Sequence, residues 1–294
     1  MHEAFADVSD VRRRLAATGY LADDAIATVV FLAERLGKPI LVEGPAGVGK
    51  TELAKAIAEA RDATLVRLQC YEGLDEAKAL YEWDYKKQLL RIQHAGDGVS
   101  WEDVHDDLFG EDYLLERPLL RALRAPEETV LLVDEIDKVD LEFEALLLEV
   151  LSDFQVTIPE LGTVTGTRRP TVVLTSNSSR ELSEALKRRC LYLHLDHPTL
   201  ERERAIVASR VPEASATLTD QVVRVVRSLR TLELRKPPSI SETLDWTRTL
   251  LELGADEVDE ELLATTLTVL LKHQRDVERA RAHLKLAAPT ADAG

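Results

Sequence analysis

GPAGVGKTELAKAIAEA, residues 44 to 60, decides the fold. Gly44, four free positions, then Gly49, Lys50 and Thr51 satisfy the fixed positions of the P-loop pattern. The flanks meet its second requirement: KPILVE before it reads as a short buried strand and ELAKAIAEA after it as a helix. Glycines let backbone N–H groups turn toward an anion with no Cβ in the way, and a helix N-terminus adds partial positive charge. The stretch Gly44, Pro45, Ala46, Gly47, Val48, Gly49, Lys50, Thr51 and Glu52 therefore reads as a phosphate cradle for ATP. Lys50 would reach the β- and γ-phosphates, and Thr51 would hold Mg²⁺ through its hydroxyl. The competing reading is a glycine-containing strand-to-helix turn with a surface lysine, and the coincidence of motif and context weighs against it.

Hydrolysis needs a metal shell, a base and a placed water as well. TVLLVDEIDKVD, residues 129 to 140, supplies an apolar run from Val130 to Val133 that reads as a buried strand ending in Asp134 and Glu135. In an α/β sheet, ligands collect at the C-terminal ends of strands. Asp134 is expected in the Mg²⁺ shell and Glu135 as the group that polarises the attacking water. A third strand, RPTVVLTSN, ends in Asn177, whose amide can orient that water without competing for its proton; a turn residue is the alternative.

The order of these motifs resembles the AAA+ ATPases, and within them the MoxR branch. LLLEVLSDFQVTIPELGTVTGTRRPTVVLTSN is similar to the helix and hairpin that this branch inserts before its sensor 1 strand. LQCYEGLDEAKALYEWDY, EVLSDFQVTIPELGT and ALKRRCLYL resemble the CoxD-like group associated with carbon monoxide dehydrogenase and other molybdenum hydroxylases. The resemblance implies an α/β P-loop core with a central parallel sheet plus a small all-helical lid. It makes Lys50 and Thr51 the Walker A pair, Asp134 and Glu135 the Walker B pair, and Asn177 sensor 1. It further implies an ATPase acting as a homo-oligomeric ring, usually of six subunits, on a protein client, here a metalloenzyme to be matured, and a partner with a von Willebrand factor A domain.

SEALKRRCLYLHL places Arg188 and Arg189 at the end of an amphipathic helix. In related rings such an arginine serves the neighbour's nucleotide; an ordinary complement to the helix dipole is the alternative, and the sequence does not choose between the two arginines. The core is expected over 1–197, with an insert at about 70–118 and a hairpin at about 154–169, the lid over 198–285 and a loose tail over 286–294. Helical patterns in the lid fall near 200–210, 217–230, 239–253 and 258–283. One departure from the resemblance stands out: Ser241 occupies the place where a sensor 2 arginine is common, and Arg235, Lys236 and Arg248 are the substitutes on offer.

Eighty-four residues separate Lys50 from Asp134, and much of the surplus lies in the insert. There Tyr81, Trp83 and Tyr85 alternate with Glu82 and Asp84, which would set three aromatics on one face of a strand, either as core packing or as a client-facing surface. Tyr20, just before a helix, is a candidate to stack on adenine or else an exposed loop tyrosine.

Composition narrows the classes. Among 294 residues, 53 acids against 37 bases give a net charge of −16 spread along the chain, which repels a phosphate backbone and weighs against a nucleic-acid-directed motor. A nucleotide-gated switch with little turnover is the other alternative. MHEAFADVSDVRRR lacks the apolar core of a signal peptide and no run is long enough to span a bilayer, so a cytoplasmic protein is expected. Cys70 and Cys190 show no metal spacing and read as packed thiols.

Overall fold

The computed structural model describes residues 4–94 and 108–286. The middle of the insert and the expected tail from residue 287 onward lie outside the described residues. The chain divides into two units: one holds the residues up to Thr18, Ala22–Gly44 and Lys50–His194, the other Gly19–Leu21, Pro45–Gly49 and everything from Leu195 on.

The first unit is α/β. Helices α1 (Val8–Ala17), α2 (Asp24–Leu36) and α3 (Lys50–Ala60) surround β1 (Ile40–Glu43), and β2 (Thr64–Gln69) follows. The insert contributes α4 (Glu76–Ala79), β3 (Tyr81–Trp83), α5 (Tyr85–His94) and β4 (Leu114–Glu116). Then come α6 (Pro118–Arg124), β5 (Thr129–Asp134), α7 (Leu141–Asp153), a hairpin of β6 (Gln155–Ile158) and β7 (Gly162–Thr165), β8 (Thr171–Ser176), α8 (Glu184–Arg189) and β9 (Leu191–His194).

Five strands form one parallel sheet in the order β2-β5-β8-β1-β9. From β1 the chain crosses β8 and β5 to reach the outer edge at β2, so the strand order reverses beside β1, the kind of switch point where α/β sheets open a crevice. Val130 to Val133 are buried on both faces of the sheet, as a covered parallel strand requires. Helix α3 buries Leu53, Ala54, Ile57 and Ala58 while Lys55 and Glu59 stay out, so its spacing holds the P-loop's helix against the sheet.

The aromatics of the insert do not share one face. Trp83 is buried in the main core, edge-to-face with Phe109 at 5.2 Å, and Tyr81 packs partly buried against it. The alternation stops there, because Tyr85 opens α5 and is 60% exposed. Core packing therefore accounts for Tyr81 and Trp83.

The second unit is helical after residue 195: α9 (Leu200–Arg210), α10 (Ala216–Arg230), α11 (Ile240–Glu252), α12 (Glu260–Leu270) and α13 (Gln274–Leu284). Trp246 is fully buried at its centre and donates its indole N–H to Thr266 Oγ1 at 2.7 Å. The pattern read as one helix over 258–283 is two, with an extended Leu271 between them. The break lets adjacent Leu270 and Leu271 share a core with Val277 and Ala280, which one straight helix would splay around its axis.

Candidate active site

The site is built at the C-terminal ends of β1, β5 and β8. Lys50, the first residue of α3, is 6% exposed and donates from Nζ to Gly44 O at 2.7 Å and to Asn177 Oδ1 at 2.8 Å. Thr51 Oγ1 donates to Asp134 Oδ1 at 3.0 Å. Asn177 Nδ2 lies 3.5 Å from Glu135 Oε1. The sequence-derived residues Lys50, Thr51, Asp134, Glu135 and Asn177 are thus brought together, although β5 is not the neighbour of β1: β8 stands between them, which is what carries Asn177 to the middle.

Within the loop, Gly47 has φ +74° and a Cβ there would collide with the Ser239 side chain, so the position needs glycine twice over. Gly49, at φ +98°, faces Tyr20, whose ring lies 3.7 Å from where a Cβ would stand. Tyr20 is buried, which removes the exposed-loop reading. Pro45, Ala46 and Val48 complete the loop, and Glu52 on α3 pairs outward with Lys55 at 2.6 Å.

Contacts between strands add residues that the sequence reading missed. Thr175 on β8 donates its hydroxyl to Asp134 Oδ1 at 2.5 Å and accepts the Glu135 N–H at 3.0 Å. Arg67 on β2 donates to Asp134 Oδ2 from Nε at 3.1 Å and from a terminal nitrogen at 2.5 Å. Gln69 Nε2 donates to Glu135 Oε2 at 3.3 Å. Asp137, 3% exposed, accepts from Asn177 N at 3.2 Å and from Ser179 N and Oγ at 3.0 and 2.6 Å, fixing the turn that carries Asn177. A third acid three residues after Asp134 and a threonine two before Asn177 were the visible signals; Arg67 gave none. Glu135 itself sits in the left-handed region, φ +59° and ψ 50°, a strained backbone of the kind that concentrates at working sites.

Electrostatics follow from this crowding. Burial pushes the Lys50 ammonium below its ordinary value while Asp137, Asp134 and Glu135 pull it back up; the net is downward. Burial would raise the Asp137 carboxyl, but the Ser179 side chain and backbone and the Asn177 backbone outweigh it and hold it below the usual range. Cys70 is pushed up to about 12 by burial and then by the same carboxylates, and Cys190 to about 12 by burial, so both remain thiols.

The two arginines of α8 differ. Both are exposed, but the Arg189 side chain donates to Ser152 Oγ at 2.7 Å and to Ala185 O at 3.4 Å, whereas the Arg188 side chain makes no hydrogen bond or ion pair among the described residues. In the helical unit, Ser239 caps α11 in a capping box with Glu242, and Ser241 is exposed in its first turn. Of the substitutes for a sensor 2 arginine, Lys236 pairs with Glu242 at 3.4 Å and Arg248 with Asp245 at 3.3 Å, while the Arg235 N–H donates to Asp276 at 3.0 Å. Among the described residues no helix is long and apolar enough to cross a membrane, and no group of histidine, cysteine and acidic side chains has a metal-site arrangement of its own.

The chain is 29% identical over 208 residues to the gas vesicle ATPase GvpN of Haloferax mediterranei, covering 66% of this chain and 57% of that protein's length. It is 32% identical over 194 residues to the chaperone protein ClpB of Corynebacterium diphtheriae, covering 63% of this chain and 19% of that one. A solved Thermotoga maritima RuvB mutant aligns at 17% identity over 99% of this chain and 88% of its own, with a TM-score of 0.49. A model of the AAA domain of the dynein-related subfamily matches residues 39–190, just over half the chain. That match starts at the strand before the P-loop and runs unbroken past Asn177 and both arginines of α8, so the chain belongs to the AAA domain family, dynein-related subfamily, and its sheet-bearing part is an AAA+ ATPase domain.

Proposed function

We propose that this chain hydrolyses Mg-ATP as a MoxR-type AAA+ protein and couples hydrolysis to remodelling a protein client. The observation that carries the reading is the double closure at the sheet's end: Lys50 to Asn177 at 2.8 Å and Thr51 to Asp134 at 3.0 Å. Those contacts bring the P-loop and the ends of β5 and β8 to a single point, which supports reading β5 as the Walker B strand and β8 as the sensor 1 strand.

The residues present fit a magnesium ion. Asp134, 3% exposed, and the adjacent Thr51 hydroxyl are hard oxygen donors, and three carboxylates, Asp134, Glu135 and Asp137, face two cations, Lys50 and Arg67. When bound, the ion neutralises charge on the phosphate oxygens. Lys50 and the loop's N–H groups bind the phosphates. Glu135 accepts a proton from the attacking water, Asn177 orients that water, and Thr175 and Asp137 hold the two strand ends at the required spacing. Arg188, exposed at the end of α8, is suited to reach the nucleotide of a neighbouring subunit, which requires a head-to-tail interface that closes into a ring, of six copies by resemblance.

The likeness to a gas vesicle ATPase and to a chaperone supports a protein client. The CoxD-like resemblance narrows that client to a metalloenzyme of the molybdenum hydroxylase type, with a von Willebrand factor A partner. Glu135→Gln is expected to bind ATP as the parent does and to lower turnover by about 10²- to 10⁴-fold. Parent turnover per chain should also climb with protein concentration as rings form. A variant that hydrolyses within twofold of the parent rejects Glu135 as the base, and a parent with no turnover at any concentration rejects the ATPase reading.

A further inference from the structure

Asp134 divides its two oxygens between different masters. Oδ1 accepts from Thr51 and Thr175, one from each flank of the site. Oδ2 accepts twice from the Arg67 guanidinium, at 3.1 and 2.5 Å. This carboxylate is 3% exposed, and the guanidinium is its paired cation. Yet the Arg67 side chain is 49% exposed and hangs from β2, the edge strand, two residues before Gln69, which lies opposite Asp134 in the register. It therefore holds the acid from the solvent side and has room to leave.

We propose that Arg67 is the resident counter-cation of Asp134, displaced when a divalent metal loads, so that β2 sets the metal concentration at which the site fills. This rests on the Mg-nucleotide reading above. A guanidinium and a divalent ion on one carboxylate repel each other. Metal-free, Arg67 satisfies Asp134 and keeps it aligned with Thr51; metal-bound, the pair must loosen. Arg67 acts through Asp134 and is a positioning residue, so removing its charge should make metal binding easier while leaving metal-free nucleotide binding alone.

The test is a magnesium titration of the full chain with fluorescent N-methylanthraniloyl-ADP, read as the magnesium concentration at half-maximal signal. Arg67→Ala is expected to lower that concentration about tenfold, a discounted value for a half-exposed charge. Arg67→Gln, which keeps polar reach without charge and guards against a folding defect in the alanine variant, should move the same way. Arg67→Lys should stay within about twofold of the parent, and affinity measured in EDTA should be unchanged throughout. The inference is overturned if both uncharged variants need as much magnesium as the parent or more, or if their effect persists in an Asp134→Asn background. A parent that binds the probe neither with magnesium nor in EDTA rejects the nucleotide reading, and this inference with it.

Discussion

Each unit of the molecule buries a carboxylate against an arginine, and the two pairs are built to opposite ends. In the helical unit Glu203 is 0% exposed and takes Arg230 fork to fork, at 2.7 and 2.8 Å. Arg230 Nε also donates to Pro238 O at 2.7 Å, and Thr243 Oγ1 donates to Glu203 at 3.1 Å. Burial, then the Arg230 charge, also hold nearby His197 below its usual range, which favours the neutral ring. Three hydrogen bonds, all from inside the fold, close on the Glu203 carboxylate. At the sheet's end Asp134 is as deeply placed, but its arginine stands half in solvent and two more carboxylates crowd the same point. Burial of charge alone therefore says nothing about function. A counter-charge left half in solvent beside a strained Glu135 does.

The contrast is broken hardest by deleting the closed pair. Glu203→Ala leaves the Arg230 charge buried and uncompensated, for which a loss of about 3–5 kcal/mol is expected in denaturant unfolding. The double variant Glu203→Met with Arg230→Met should recover most of it, because a closed pair acts as packing with charge attached. Recovery of less than about 1 kcal/mol would mean the pair specifies the Pro238 turn as well as filling space.

A smaller effect is expected at Asp137, the acid closed by Ser179 and Asn177. Asp137→Asn keeps the shape and loses a charge-assisted acceptor, at about 1–3 kcal/mol near neutral pH. Its carboxyl is held below the ordinary value of 3.8, so the folded chain binds fewer protons there than the unfolded one. That contribution is complete above the ordinary value and is lost as pH falls through the depressed one. The gap between parent and variant in urea unfolding should therefore close below about pH 4. A gap that is flat with pH would show that hydrogen-bond geometry, with no charge involved, holds the Asn177 turn.

What was legible in the sequence is what local rules write. Gly47 and Gly49 announce positive φ, and an apolar run that stops at Asp134 announces a strand end; neither needs a partner to be read. Arg67 and Thr175 act only across strands, and β2 alone, TLVRLQ, looks like an edge strand with an ordinary wet face. Their roles depend on an order in which β5 and β8 sit between β2 and β1, and no periodicity encodes that order. The same limit misplaced the insert aromatics: a two-residue period ran through Tyr81 and Trp83, but the Asp84 side chain accepts the Lys87 N–H at 3.0 Å and starts a helix at Tyr85. Arg188 and Arg189 are equivalent as letters, and Ser152, contributed by α7, makes them different.

The finest distinction lies at the start of α11, where the resemblance anticipates an arginine and the chain has serines. Ser239 Oγ accepts the Ser241 N–H at 3.2 Å, Glu242 accepts the Ser239 N–H at 3.0 Å, and Ile240 N donates to Gly47 O at 3.3 Å. The helix start is thereby pinned to the middle of the P-loop by backbone and short side chains. Ser239→Ala removes the cap but leaves the Ile240 contact and relieves no clash, since Gly47 has no Cβ to accommodate. A loss of about 1 kcal/mol in thermal unfolding is expected, the ordinary value for a helix cap. If Ser239 only caps, ATP should stabilise variant and parent against heat equally. A variant that loses its ATP-dependent shift as well would mean that this serine helps to shape the loop around phosphate, the duty proposed above for Lys50 and the glycines.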